Sequence, residues 1–245
     1  MALIEQDVDV TTKYGEMPSF AVAPDQPGQY PGIIFYMDAP GIREELRNMC
    51  RRIAKQGYFC LLPDMYYRLG TLRFDIPRRN DAMSVLIRGA MNHLSNEMVT
   101  DDTGGLIAFL DAQDRVKPGP LGCVGYCMSG CYVTSVAARF PHRIAAAASL
   151  YGVNIVTDKA DSPHLTVDRI KGELYYGFAE IDPSVPDHVV PTLKSALDKA
   201  GTRYALETFA GAHHGFAFPE RKDYETLAAE ASWAKIFALW ERNLK

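Results

Sequence analysis

The sequence has no apolar run long enough to cross a bilayer. Its longest uncharged apolar stretch, Ile144–Tyr151, falls far short of the ~20 residues a membrane helix needs. Positive charge is not in excess: 26 Lys and Arg stand against 30 Asp and Glu, a net charge of −4. That balance gives no broad footprint for nucleic acid. No basic segment followed by an apolar one opens the chain, so nothing in Met1–Asp7 directs secretion. Cysteines are few and odd in number (Cys50, Cys60, Cys123, Cys127 and Cys131). A chain of this length buries ~70–75% of its unfolded surface without cross-links. Free thiols in a reducing, cytoplasmic setting are therefore expected. No repeat, low-complexity tract or Gly/Ser linker divides residues 1–245, which read as one domain.

What is present is a succession of buried runs and amphipathic stretches. Glu5–Thr12 alternates acidic and apolar residues and predicts an exposed strand, with Ser19–Ala23 as its hairpin partner across Lys13–Glu16. Ile33–Met37 and Tyr58–Leu62 are continuous apolar runs, as in strands covered on both faces. Ile42–Lys55 has helical period, with Gly57 at its C-terminal end. Arg68–Arg79 reads as a long polar loop. Further on, strands are expected at Leu121–Tyr126, Ile144–Leu150, Glu173–Tyr176 and Arg203–Thr208. Helices are expected at Met83–Leu94, Thr100–Gln113, Met128–Phe140, Asp187–Ala200 and Asp223–Leu244. Alternation of this kind predicts an α/β fold with a mostly parallel sheet, helices on both faces and an N-terminal antiparallel hairpin. In such sheets the chemistry lies beyond the carboxyl ends of the strands.

Three such ends stand out. Gly125-Tyr126-Cys127-Met128-Ser129-Gly130 joins a strand directly to a helix, and a nucleophile on so sharp a turn needs small neighbours. The helix N-terminus favours a thiolate at Cys127, and the Met128 N–H would point at a developing oxyanion. A buried structural cysteine is the plainer alternative. Cys127 and Cys131, four apart, have no companions at zinc-binding spacing, so no metal is expected. After the next strands come Glu180-Ile181-Asp182-Pro183 and then His213-His214-Gly215-Phe216. Nucleophile, acid and histidine thus follow in the order this fold class uses. Asp182, just before Pro183, is the first choice of acid and Glu180 the second. Asp182 could equally cap the following helix.

With these motifs the sequence resembles the dienelactone hydrolase family of α/β hydrolases, from Pro31 to about Phe218. The similarity rests on Gln56-Gly57-Tyr58, Leu62-Pro63-Asp64-Met65-Tyr66, Gly125-Tyr126-Cys127 and His214-Gly215-Phe216. It implies Cys127 as nucleophile, His214 as base and Asp182 as its orienting acid, with no metal or cofactor. It also implies Asp38 in the place of a carboxylate that helps activate the thiol, and Ala39 N–H as a second oxyanion donor. Asp38 is one methylene shorter than the family's usual glutamate, and Ser129 replaces a glycine. Phe218 stands where the family carries a carboxylate-clamping arginine; Arg78 or Arg79 falls near its other one. With Tyr66, Tyr151, Phe216 and Phe218 expected near the mouth, the pocket should be more apolar than the namesake's. The implied activity is hydrolysis of a small ester or lactone through a thioester acyl-enzyme, in a monomer or homodimer. Two rivals use the same residues: an esterase or thioesterase for hydrophobic esters, and a non-catalytic ligand or redox sensor on this scaffold.

Overall fold

A computed structural model describes all of residues 1–245. The apolar runs become the middle of an eight-stranded sheet: β3 (Gly32–Tyr36), β4 (Phe59–Pro63) and β5 (Leu121–Tyr126) are buried at every position. Around them lie β1 (Leu3–Thr12), β2 (Gly15–Pro24), β6 (Ile144–Leu150), β7 (Glu173–Ile181) and β8 (Arg203–His213). The spatial order is β1-β2-β4-β3-β5-β6-β7-β8. β1 and β2 form an antiparallel hairpin joined antiparallel to β4, and every pairing from β4 to β8 is parallel.

Total burial of the central strands requires cover on both faces, and the helices supply it. They are α1 (Glu44–Lys55), α2 (Asp81–His93), α3 (Asn96–Asp111), α4 (Ser129–Arg139), α5 (Val189–Ala200) and α6 (Thr226–Leu244). α1 turns Leu46, Met49, Cys50 and Ile53 inward and is tied to α6 by the Arg52–Glu230 ion pair. At Gly122 a Cβ would crowd the side chains of α6, 2.9 Å from Leu244 and 3.1 Å from Trp240. No helix is long and apolar enough to cross a membrane.

Boundaries differ from the expected ones for local reasons. α3 begins at Asn96, not Thr100, because the Ser95 hydroxyl accepts from Met98 N–H at 3.1 Å and caps the helix earlier. α6 begins at Thr226 because Glu225 caps its first N–H groups. The polar loop Arg68–Arg79 contains two short 3₁₀ turns, Tyr67–Leu69 overlapping its start and Ile76–Arg78. The largest change is at β7 and β8, which run on to Ile181 and His213 by pairing with each other.

Candidate active site

Cys127 sits at the carboxyl end of β5 with a left-handed backbone, φ +53°. Few non-glycine residues accept this conformation without support from their surroundings. The support is on both sides: Cys127 N–H donates to Leu150 O at 3.0 Å, and its carbonyl accepts from Gly130 and Val153. A Cβ on Gly125 would come within 2.5 Å of Ser129 O, so that glycine is what lets strand and helix meet. Ser129 fits in place of glycine because its hydroxyl donates to Met37 O at the end of β3. Cys127 is the only one of the five free cysteines that is not fully buried. Burial pushes the thiols of Cys123 and Cys131 up, the latter to about 12.

The extension of β7 and β8 places the acid and the histidine. Ile181 pairs with His213 in register, so the next residue on each strand, Asp182 and His214, emerge side by side. His214 Nδ1 lies 2.7 Å from Asp182 Oδ2, and Ser184 N–H donates to Oδ1 at 2.9 Å. Asp182 therefore both orients the imidazole and closes its own turn, while Glu180 stays on the strand and accepts from Gly211 N–H. Gly215, φ +91°, turns the chain directly after the histidine. With Nδ1 engaged, Nε2 is left for the sulfur. Burial alone would lower the His214 pKa, but Asp182 and the neighbouring Cys127 sulfur outweigh it and raise it to about 10.

This shift gives a stability prediction. The folded protein holds the His214 proton more tightly than the unfolded chain, where histidine titrates near 6.5. The stabilisation is fully present below pH ~6.5 and disappears as pH rises through about 10. The Tm deficit of Asp182→Asn relative to wild type is expected to be several degrees larger at pH 6 than at pH 10. Equal deficits in the two melts would refute the coupling.

The N–H groups of Ala39 and Met128 donate to no protein acceptor. Tyr66, expected near the mouth, instead donates its hydroxyl to Ala39 O at 2.8 Å. Tyr66, Tyr151, Phe216 and Phe218 all have 0% exposure, so the expectation of an aromatic, apolar mouth is corrected. Tyr151, another left-handed residue at φ +36°, packs edge-on to His214 and Phe216, with ring centres 5.0 and 5.1 Å away. Phe218 is turned inward by the Phe218 N–H to Gly215 O bond and lies beneath two guanidinium groups, those of Arg43 and Arg221, each 5.2 Å from its ring.

No pattern in the sequence marks these two arginines. Asp38 is wholly buried, with Arg43 on both of its oxygens (2.5 and 3.1 Å) and Arg221 on Oδ2 (2.7 Å). Glu220 accepts from Arg43 Nε at 2.5 Å. Arg221 also lines a cleft of about 500 Å³ in which Arg79 and Lys222 are matched by Asp81, Glu220 and Asp223. Arg78 is turned away, 86% exposed and paired with Asp75. No group of three His, Cys, Asp or Glu side chains is arranged to hold a metal ion.

Residues 17–244 match the model of the dienelactone hydrolase family. A Synechocystis sp. protein named "Putative carboxymethylenebutenolidase" is 28% identical over 250 residues, covering 97% of this chain and 99% of its own length. A Bradyrhizobium protein named "Probable 2-oxo-3-(5-oxofuran-2-ylidene)propanoate lactonase" is 24% identical, covering 95% and 93%. Among solved structures, a "Putative Dienelactone Hydrolase" from Klebsiella pneumoniae superposes with a TM-score of 0.88 at 23% identity, over 99% of this chain and all of that one.

Proposed function

Because this chain belongs to the dienelactone hydrolase family and is a hydrolase of carboxylic ester or lactone bonds, we propose that Cys127, His214 and Asp182 carry that reaction through a thioester. The observation that carries the reading is a strained cysteine at the strand-to-helix turn facing an imidazole whose far nitrogen is held 2.7 Å from a carboxylate. His214 Nε2 holds the proton of the Cys127 thiol, in keeping with its raised pKa of about 10, and the thiolate attacks the acyl carbon. The oxyanion is met by Met128 and Ala39 N–H. As the carbonyl reforms, the acyl C–O bond breaks and the leaving oxygen takes the proton from His214. His214 then draws a proton from water, which attacks the thioester and expels the thiolate, leaving the acid product.

The substrate class is a small ester or lactone bearing a carboxylate. The cleft beside Arg79, Arg221 and Lys222 is lined equally by Asp81, Glu220 and Asp223, so its charge is balanced and the choice of class rests on the family. The Bradyrhizobium relative's printed name is that of a propanoate lactonase, which accords with this choice. The redox-sensor rival has less support, since burial holds Cys123 and Cys131 protonated as poor resolving thiols.

The test is a panel of short aryl esters, simple lactones, an unsaturated lactone carboxylate and an acyl thioester, with acid quench and intact-mass analysis. The expected result is fastest turnover of the lactone carboxylate and an acyl adduct mapping to Cys127. Turnover with no adduct on Cys127 under any quench, and none lost on thiol alkylation, would overturn the thioester route. Preference for uncharged aryl esters would overturn the substrate class alone.

A further inference from the structure

Asp38 holds the position of a thiol-activating carboxylate, yet its surroundings suit another task. Arg43 engages both of its oxygens and Arg221 a second site on Oδ2. Arg43 is itself fixed, 9% exposed, by Glu220 on Nε and by the Phe218 ring below. Two cations and two anions thus form a closed, charge-balanced cluster. For Asp38 to accept the thiol proton it would have to give up a buried, fully engaged ion pair, leaving Arg43 uncompensated.

The same guanidinium does something a proton relay does not need. Arg43 Nη1 also donates to Gly41 O at 3.0 Å, and Gly41 N–H closes the turn on Asp38 O at 2.9 Å. Arg43 therefore grips the turn Asp38-Ala39-Pro40-Gly41 at both ends. Between the two grips lies Ala39, whose carbonyl takes the Tyr66 hydroxyl and whose N–H is unpaired. The peptide that carries the Ala39 N–H has Asp38 O as its oxygen, held by Gly41 N–H, and Tyr66 holds the carbonyl that follows; fixed on both sides, that N–H has one orientation.

We propose that Asp38 and Arg43 form a truss that fixes the Ala39 N–H of the oxyanion hole, with Arg43 the positioning residue, and that Asp38 takes no proton from Cys127. The assignment rests on the thioester reading above, through Ala39. It implies a thiol whose ionisation is set by His214 and is indifferent to Asp38. It also explains how aspartate serves where a longer glutamate is usual: a truss needs a short, immobile carboxylate, and reach toward the sulfur is unnecessary.

The experiment follows iodoacetamide alkylation of Cys127 against pH, together with kcat and KM on the best ester or lactone of the panel. The proteins are wild type, Asp38→Asn, Arg43→Lys and His214→Gln. Arg43→Lys keeps the charge and guards against a folding defect, but one ammonium cannot span Asp38 and Gly41 O. Arg43→Lys and Asp38→Asn are expected to leave the midpoint of the alkylation profile in place while lowering kcat ~10²-fold, the loss typical of one oxyanion donor. KM should change little. His214→Gln should move the alkylation midpoint itself. A shift of the midpoint in Asp38→Asn comparable to that in His214→Gln would identify Asp38 as a proton acceptor and overturn the proposal. Unchanged kcat in Arg43→Lys would overturn the truss. Failure of the thioester reading shows separately, as wild type whose turnover survives complete alkylation.

Discussion

Replacing Cys127 by alanine is expected to lower kcat by ~10⁴-fold or more, leaving only what binding and the oxyanion donors supply. The fold should be unaffected, because the thiol makes no hydrogen bond that holds the turn together; the backbone of residue 127 makes them all. Far-UV dichroism and melting curves should match wild type while turnover vanishes. The companion variant Cys127→Gly should also be inactive yet melt higher than Cys127→Ala, since glycine adopts φ +53° freely and alanine does not. Turnover by either variant within tenfold of wild type would remove the cysteine from the mechanism.

The largest expected loss of stability comes from one carbon atom at Gly130. A Cβ there would stand 2.2 Å from Gly152 Cα and 2.6 Å from Ser149 Oγ. The closest obstacle is backbone, so it cannot swing aside. Gly130→Ala must push the first turn of α4 away from the segment after β6, which also carries Tyr151. Overpacking usually costs about 1–3 kcal/mol, and a backbone clash belongs at or above the top of that range. For a chain of this size the melting temperature should fall by ~6–12 °C. Gly89→Ala is the control: it lies inside α2 with nothing within 4 Å of a Cβ, and alanine should stabilise it by roughly 0.5–1 kcal/mol. Similar melting temperatures for both variants would show that the close approach of α4 is not rigid.

The parts of the site that could be read in advance share one property: their meaning is local. Cys127 lies between a buried run and a helix with glycine two residues before it, and His214 precedes a glycine. The parallel sheet was equally legible, because strands buried on both faces write their burial into every residue. Asp182 was distinguished from Glu180 only by its neighbour Pro183, and the structure gives the physical reason: Glu180 is still in the strand. The continuation of β7 and β8 was hidden because exposed edge residues such as Glu180 and Ala210 carry no strand signature. The Asp38 cluster could not be read at all. Its members are up to 183 positions apart, and long arginine side chains meet through space without leaving a pattern in the chain. Phe218 misled for a related reason, since the tight turn from Gly215 decides whether its ring faces water or protein.

Because Ile181 and His213 are register partners, the separation of acid and base is set where the two strands end, with the Ser184 N–H adding one bond to Asp182. Beyond those bonds, residues 186–188 and 222–223 hold neither member of the pair nor the Asp38 cluster. They can lengthen, shorten or change charge, and so exchange one acyl compound for another, while the proton-transfer pair keeps its spacing. By contrast, β8 already takes up two extra residues against β7 between Phe209 and His213, so a further insertion there would displace the histidine from the acid. New specificities in this scaffold should be sought past the strand ends, and lost ones traced to slips within them.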